Sequence, residues 1–229
     1  MKQPSELKDI ALSSLKGNWG RAIVLQLVSF LACGVFFAVY FGALFSAAFS
    51  GEPSAFLAAL PIIFFAYLLF FFFIVTYVFG TQMTFIDFVR GDNQALKVSD
   101  AFSFGFKNLG VIFLRLLYVF AWSLLLYIPG IIKYYSYAMT PYIVKDNPGI
   151  SADAAIQASQ ELMRGHKLDL FVLQLTFIGW FFLAYFTCGI GFLFVVSYYQ
   201  ATEAAFYQNL LEESEVSTTT TTSSTEVKF

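Results

Sequence analysis

Three ionisable side chains fall inside long apolar runs of this chain: Arg115, Lys133 and Glu203. Charge in a hydrocarbon environment is costly, so each of them is a candidate intramembrane polar site. Glu203 sits within Tyr198-Tyr199-Gln200-Ala201-Thr202-Glu203-Ala204-Ala205-Phe206-Tyr207, about two turns from the inner end of the last run. A carboxylate placed there pairs with a cation or stays protonated. Arg115, about one turn into its own run, is the expected partner at similar depth. The pair reads as a structural ion pair or as a substrate or proton site. Arg115 also fits snorkelling to the inner headgroups, and Lys133, just past Pro129-Gly130, fits snorkelling at the outer interface.

The remaining reactive residue types point away from catalysis. Asp87, at the inner end of the second run, is expected to pair with Arg90 or another interfacial base. The single histidine, His166, has no second His or Cys nearby to build a zinc site and reads as a headgroup contact. Cys33 and Cys188 lie in or beside apolar runs, fit no CxxC or Cys/His spacing, and read as small packing residues. No P-loop, GxGxxG or HExxH is present. Neither is a paired-carboxylate site with room for a substrate. The expectation is no catalytic residue, no metal and no cofactor.

The composition says what positions these groups. Of 229 residues 59% are hydrophobic, 20% aromatic and 12% charged. A soluble domain carries roughly a quarter charged residues, so this chain cannot cover a water-facing surface, and its excess apolar area is expected to face lipid. An all-α, polytopic transmembrane helical bundle of about six spans follows, within one membrane domain over residues 1–211. The spans are read at 21–48, 58–79, 111–128, 131–144, 168–187 and 190–210. Residues 212–229, acidic and then rich in Ser and Thr, are expected to form a disordered cytoplasmic tail.

Amphipathic interfacial helices are expected at 4–17, 98–107 and 151–163, with Ser5, Ser99 and Ser151 as their caps. The segment 131–144 is short for a crossing and contains Lys133 and Pro141, so it either returns across the membrane or re-enters partway. The positive-inside bias favours a crossing, with a hairpin turn at Pro129-Gly130. Of the 13 Lys and Arg, only Arg115 and Lys133 then lie within spans, Arg21 lies at a boundary, and none lies in an outer loop. Both termini are placed in the cytoplasm.

Several longer motifs carry a family resemblance. They are Leu15-Lys16-Gly17-Asn18-Trp19, Gly105-Phe106-Lys107-Asn108, Ile128-Pro129-Gly130-Ile131-Ile132-Lys133-Tyr134-Tyr135-Ser136-Tyr137 and Asp146-Asn147-Pro148. Leu162-Met163-Arg164-Gly165-His166-Lys167, Phe177-Ile178-Gly179-Trp180 and the run from Tyr199 to Tyr207 complete the set. Together they resemble the bacterial integral membrane family called Domain of Unknown Function 975. A fainter similarity, on Ala155-Ile156, Ser159, Leu162 and Arg164-Gly165, is to the membrane domain that precedes some bacterial glycerophosphodiester phosphodiesterases. The catalytic domain of those enzymes is missing from this sequence. The resemblance implies a multi-pass protein of the bacterial plasma membrane and no particular reaction. The leading expectation is a non-enzymatic membrane protein acting through lipid or protein contacts at its cytoplasmic face. Membrane lipid is its expected partner, a homo-oligomer or another membrane protein a further one, and nucleic acid is not expected. The alternative is a small transporter or channel subunit with a polar site at Arg115 and Glu203.

Overall fold

A computed structural model describes residues 2–92, 96–125, 127–187 and 189–226. Among them the fold is all helix, with no strand. Helix α1 (Pro4–Leu15) starts before Ser5. Pro4 suits the first turn, where its missing N–H has no intrahelical acceptor, and Glu6 accepts from the Gln3 N–H at 3.0 Å. Its apolar stripe, Leu7, Ala11 and Leu15, is buried.

Helices α2 (Trp19–Phe49) and α3 (Pro53–Val89) form a long apolar hairpin. Phe41, Phe45, Leu57, Phe64, Phe65 and Leu69 are exposed around it, a surface suited to hydrocarbon and not to water. Helix α3 begins before residue 58, which puts Pro61 inside it, and runs beyond 79. Its final turns differ in character: Thr76, Tyr77, Phe79, Met83, Phe85, Ile86 and Phe88 are buried. Helix α4 (Val98–Lys107), preceded by Lys97 with no capping bond from Ser99, crosses this buried part. A Cβ on Gly80 would overlap the Ala101 carbonyl, and one on Gly105 would overlap the Thr76 carbonyl. Small residues four apart on both helices therefore let the two backbones touch.

The chain bends by 68° between α4 and α5 (Leu109–Leu125), and α6 (Tyr127–Ser136) packs back on α5. Pro129-Gly130, expected at the turn, lie in the first turn of α6, where proline is tolerated. Gly130 is needed for the pairing instead: a Cβ there would come within 2.8 Å of the Ser123 Cα. The segment 131–144 is not one crossing helix. It divides between α6 and α7 (Thr140–Asp146), and α6, at ten residues, is about 15 Å long, half a bilayer core.

Helix α8 (Ala152–Leu162) is capped by Ser151, which accepts from the Ala154 N–H at 3.3 Å, and is followed by Gly165 at φ +91°. Residues Lys167–Phe186 pass the length and hydropathy required of a span, although the helix is interrupted into α9 (Lys167–Leu175) and α10 (Ile178–Phe186). Cys188, expected in the turn that follows, lies outside the described residues. Helix α11 (Ile190–Glu226) is the centre of the molecule, with Ser197, Ala201, Glu203, Ala204, Phe206 and Tyr207 among its buried residues. Its backbone is helical to Glu226. Extending an anchored helix costs far less than nucleating a new one. Among the described residues, α2, α3 and Lys167–Phe186 are long and apolar enough to cross a membrane, and the bent pair α4–α5 makes a fourth if taken as one span.

Candidate functional site

The polar centre of the molecule is built on one face of α11. Tyr199, Glu203 and Tyr207 are four apart, so they project from the same side of the helix. Glu203 is only 6% exposed, and a buried carboxylate must find hydrogen-bond donors. Three converge on it. The Tyr199 hydroxyl donates to Oε1 at 2.7 Å, the Gln174 amide of α9 to the same oxygen at 3.3 Å, and the Gln82 amide of α3 to Oε2 at 3.5 Å. Gln174 also donates to the Tyr199 hydroxyl at 2.6 Å and accepts from the Tyr135 hydroxyl of α6 at 2.7 Å. Three helices, α3, α6 and α9, are thereby tied to α11 through a single network.

The expected ion pair between Arg115 and Glu203 does not form. Arg115 lies within electrostatic reach of Glu203, Tyr134 and Tyr142, but its guanidinium makes no hydrogen bond or ion pair among the described residues. Neutral donors reach both oxygens of Glu203, and one of them, Gln82, lines the same cavity as Arg115. Arg115 instead lines a cavity of about 190 Å³ between α3 and α5, together with Gln82 and Tyr134. Beside this centre the Tyr142 hydroxyl is buried with no hydrogen-bond partner among the described residues, its ring stacked on Tyr207 at 5.1 Å between centroids.

Lys133 is elsewhere. Its ammonium donates to the Gln160 Oε1 of α8 at 2.9 Å and lies over the Trp122 ring at 4.9 Å and the Tyr137 ring at 5.7 Å. Gln160 belongs to the amphipathic helix expected on the cytoplasmic side, so this contact means that an outer-interface Lys133 and a cytoplasmic α8 cannot both hold. Ser159 of the same helix donates to the Ser136 carbonyl at 2.9 Å, and Asp153 accepts from the Tyr118 hydroxyl at 3.0 Å, so α8 lies across the α5–α6 hairpin. The three sequence candidates therefore do not form one site: Arg115 and Glu203 are neighbours separated by Gln82, and Lys133 belongs to the α8 contact.

A ring of ion pairs closes the end where α3, α7 and α11 meet. Lys145 pairs with Asp87 at 2.7 Å and lies over the Phe104 ring at 3.8 Å. Arg90 grips both oxygens of Asp146, which also accepts from the Tyr207 hydroxyl at 2.8 Å. The hydrogen bonds that Arg90 donates to Asp146 hold it above its usual value against the effect of burial. Burial pushes Asp146 up, but the hydrogen bonds from Arg90 and Tyr207 and the charges of Arg90 and Lys145 outweigh it. Its carboxyl ends below the usual range. Near α1, burial lowers Lys8, which donates to the Thr176 carbonyl at 3.2 Å and covers the Phe177 ring at 4.5 Å. His166 meets the Asp169 carboxylate at 3.2 Å. Among the described residues no cluster of His, Cys, Asp and Glu is suited to a metal.

Gln82, Gln174 and Tyr199 are the site residues that sequence reasoning passed over. The signal was available for Gln174, isolated among apolar residues, and for Gln82, which lies with Thr81 and Thr84 near the end of an apolar run, since an unpaired amide there is costly. A second such pair, Gln26 of α2 and Gln200 of α11, hydrogen-bonds at 2.9 Å.

The family model described as Protein of unknown function (DUF975) matches residues 107–214. That stretch contains every member of the Glu203 network except Gln82. The fainter similarity to the membrane domain of glycerophosphodiester phosphodiesterases gains no support from the comparisons. No curated protein and no solved structure matches the chain.

Proposed function

We propose, from the premise that residues 107–214 belong to the DUF975 family, that this protein works without catalysing a reaction. It is a multi-pass protein of the bacterial plasma membrane with both termini cytoplasmic, acting through lipid and protein contacts at its cytoplasmic face. One observation carries this reading. The ion pairs Arg90–Asp146 and Lys145–Asp87 tie α3 to α7, and Lys2–Glu212 ties the start of the chain to α11, while the far end of the α2–α3 hairpin carries Glu52 alone between two long apolar helices. Basic residues flanking apolar helices stay on the cytoplasmic side, and there they attract anionic lipid headgroups.

In this reading the α5–α6 hairpin re-enters from the cytoplasmic side without crossing. Tyr118 and Lys133 both touch α8. From Tyr118 to the end of α5 at Leu125 the helix advances about 10 Å, a third of a bilayer core.

The test is thiol labelling in intact cells, in a background free of Cys33 and Cys188. Cysteine at Glu52 is expected to react with an impermeant reagent from outside. Cysteines at Ile128 and His166 are expected to be protected until the membrane is opened. External labelling at His166 overturns the orientation, and external labelling at Ile128 overturns the re-entrant hairpin. A transport role has one observation in its favour, since Gln82 joins the Glu203 network to the cavity beside Arg115.

A further inference from the structure

The cavity between α3 and α5 has a polar end and an apolar end, in a definite order. Gln82, Arg115 and Tyr134 line the first, with Ile112 one turn before Arg115, while Val75, Val78 and Phe79 on α3 and Leu116 and Val119 on α5 lead to the second. Val119 follows Arg115 by four residues on α5, and Val75 precedes Gln82 by seven on α3. The apolar end thus lies about 6 to 10 Å along both helices from the polar one, towards the hairpin tips. The polar end lies towards Asp87 and Arg90, the end read above as cytoplasmic. Outside the cavity, α5 presents exposed Phe113, Leu117 and Phe120, so the opening is continuous with the lipid-facing surface.

This order, headgroup chemistry below and hydrocarbon above, is that of a phospholipid in the inner leaflet. From it we propose that the cavity binds the phosphate and glycerol end of an anionic phospholipid, with Arg115 as the phosphate ligand. The inference deepens the lipid-contact reading above and rests on it. Arg115 is suited to the role because no hydrogen bond or ion pair among the described residues engages its guanidinium, whose planar array of donors matches phosphate oxygens. Glu203, the nearest opposite charge, is turned into its own network and held there by three donors. At about 190 Å³ the space takes the polar end of a lipid and not the whole molecule. The acyl chains then run outward past Leu116 and Phe120. A free phosphate ion would have to leave water for a site walled by valines, which is why lipid is the better occupant.

The experiment follows thermal unfolding of the full-length protein in neutral detergent, titrated with phosphatidylglycerol, phosphatidylcholine or inorganic phosphate. Phosphatidylglycerol is expected to raise the unfolding temperature of the wild type. Arg115→Gln should need about tenfold more lipid for the same shift, the loss of one charge-assisted hydrogen-bonded contact. Arg115→Lys should recover part of the response, and Lys133→Gln, the same charge change outside the cavity, should behave as wild type. A wild-type response in Arg115→Gln overturns the site while leaving the lipid-contact reading intact. Equal, flat responses of the wild type to both lipids overturn that reading as well. Inorganic phosphate reproducing the shift overturns the lipid as occupant. If Arg115→Gln does not fold, Val119→Trp fills the apolar end with the charge in place. It too should lose the phosphatidylglycerol response, and an unchanged response overturns the proposal.

Discussion

The outer part of the α2–α3 hairpin and the body around α11 are both helical and both apolar, yet they are held together by different contacts. In the hairpin the helices meet through rings, with Phe36 stacked on Phe70 at 4.5 Å between centroids. Gly34 and Gly42 have nothing within 4 Å of where a Cβ would be. In the body, backbones touch at Gly80 and Gly105, and buried hydrogen bonds join α3, α6, α9 and α11. Lipid tails are as apolar as the side chains, so burying apolar area against another helix in the membrane gains little. Specificity must then come from close packing and from polar groups with no other partner. The body has both, and the hairpin relies mainly on aromatic contacts.

The sharpest way to break this contrast is one methyl group. Gly80→Ala places a Cβ where the Ala101 carbonyl already is, so α3 and α4 must separate. We expect a loss of about 3 kcal/mol, the upper range for overpacking, read as a large drop in unfolding temperature and in the yield of monodisperse protein. Gly34→Ala, in the hairpin, meets open space and should be neutral or slightly stabilising, because alanine is the better helix former. Equal effects of the two substitutions would erase the distinction between the regions.

Glu203 comes next. Glu203→Ala removes the acceptor shared by Tyr199, Gln174 and Gln82 and leaves buried donors unsatisfied, at a cost of about 2 kcal/mol in thermal unfolding. Glu203→Gln keeps one acceptor oxygen but sets its new amide against one of those donors, so about 1 kcal/mol is expected. The transport reading requires the reverse for Glu203→Gln, intact stability with lost flux.

Much of the fold is legible in local pattern, and much of the site is not. Apolar runs mark α2 and α3, and apolar stripes at helical spacing mark α1 and α8, because these features depend on neighbours within a turn or two. The position of Glu203 in an apolar run identifies it as a buried group, but its partners lie on α3 and α9, and no local spacing encodes which of them arrives. The pairing with Arg115 failed for that reason. Two residues at equal depth need not face each other, and neutral amides can satisfy a carboxylate as well as a cation. Lys133 and α8 were expected on opposite sides because one residue range, 131–144, was read as one helix. The break before Thr140, where Pro141 starts α7, lets α6 be short and brings Lys133 back beside α8.

The smallest effect is expected in the hairpin, and its smallness is the point. Phe36→Leu removes the stack on Phe70 while preserving an apolar side chain of good helix propensity. An aromatic pair contributes about 0.5 to 1.5 kcal/mol beyond its buried area. Leucine still fills part of the gap, and the ring's former neighbours Phe37, Tyr40 and Tyr67 can close on it. A change of about 0.5 kcal/mol should result, visible as a small shift in unfolding temperature with no loss of yield. The same substitution at Phe85, fully buried in the body, should cost several times more, because a tightly packed site relaxes only partly around the missing atoms. Were Phe36→Leu to unfold the protein as Phe85→Leu does, the hairpin would be as specifically packed as the body, and lipid would not be what surrounds it.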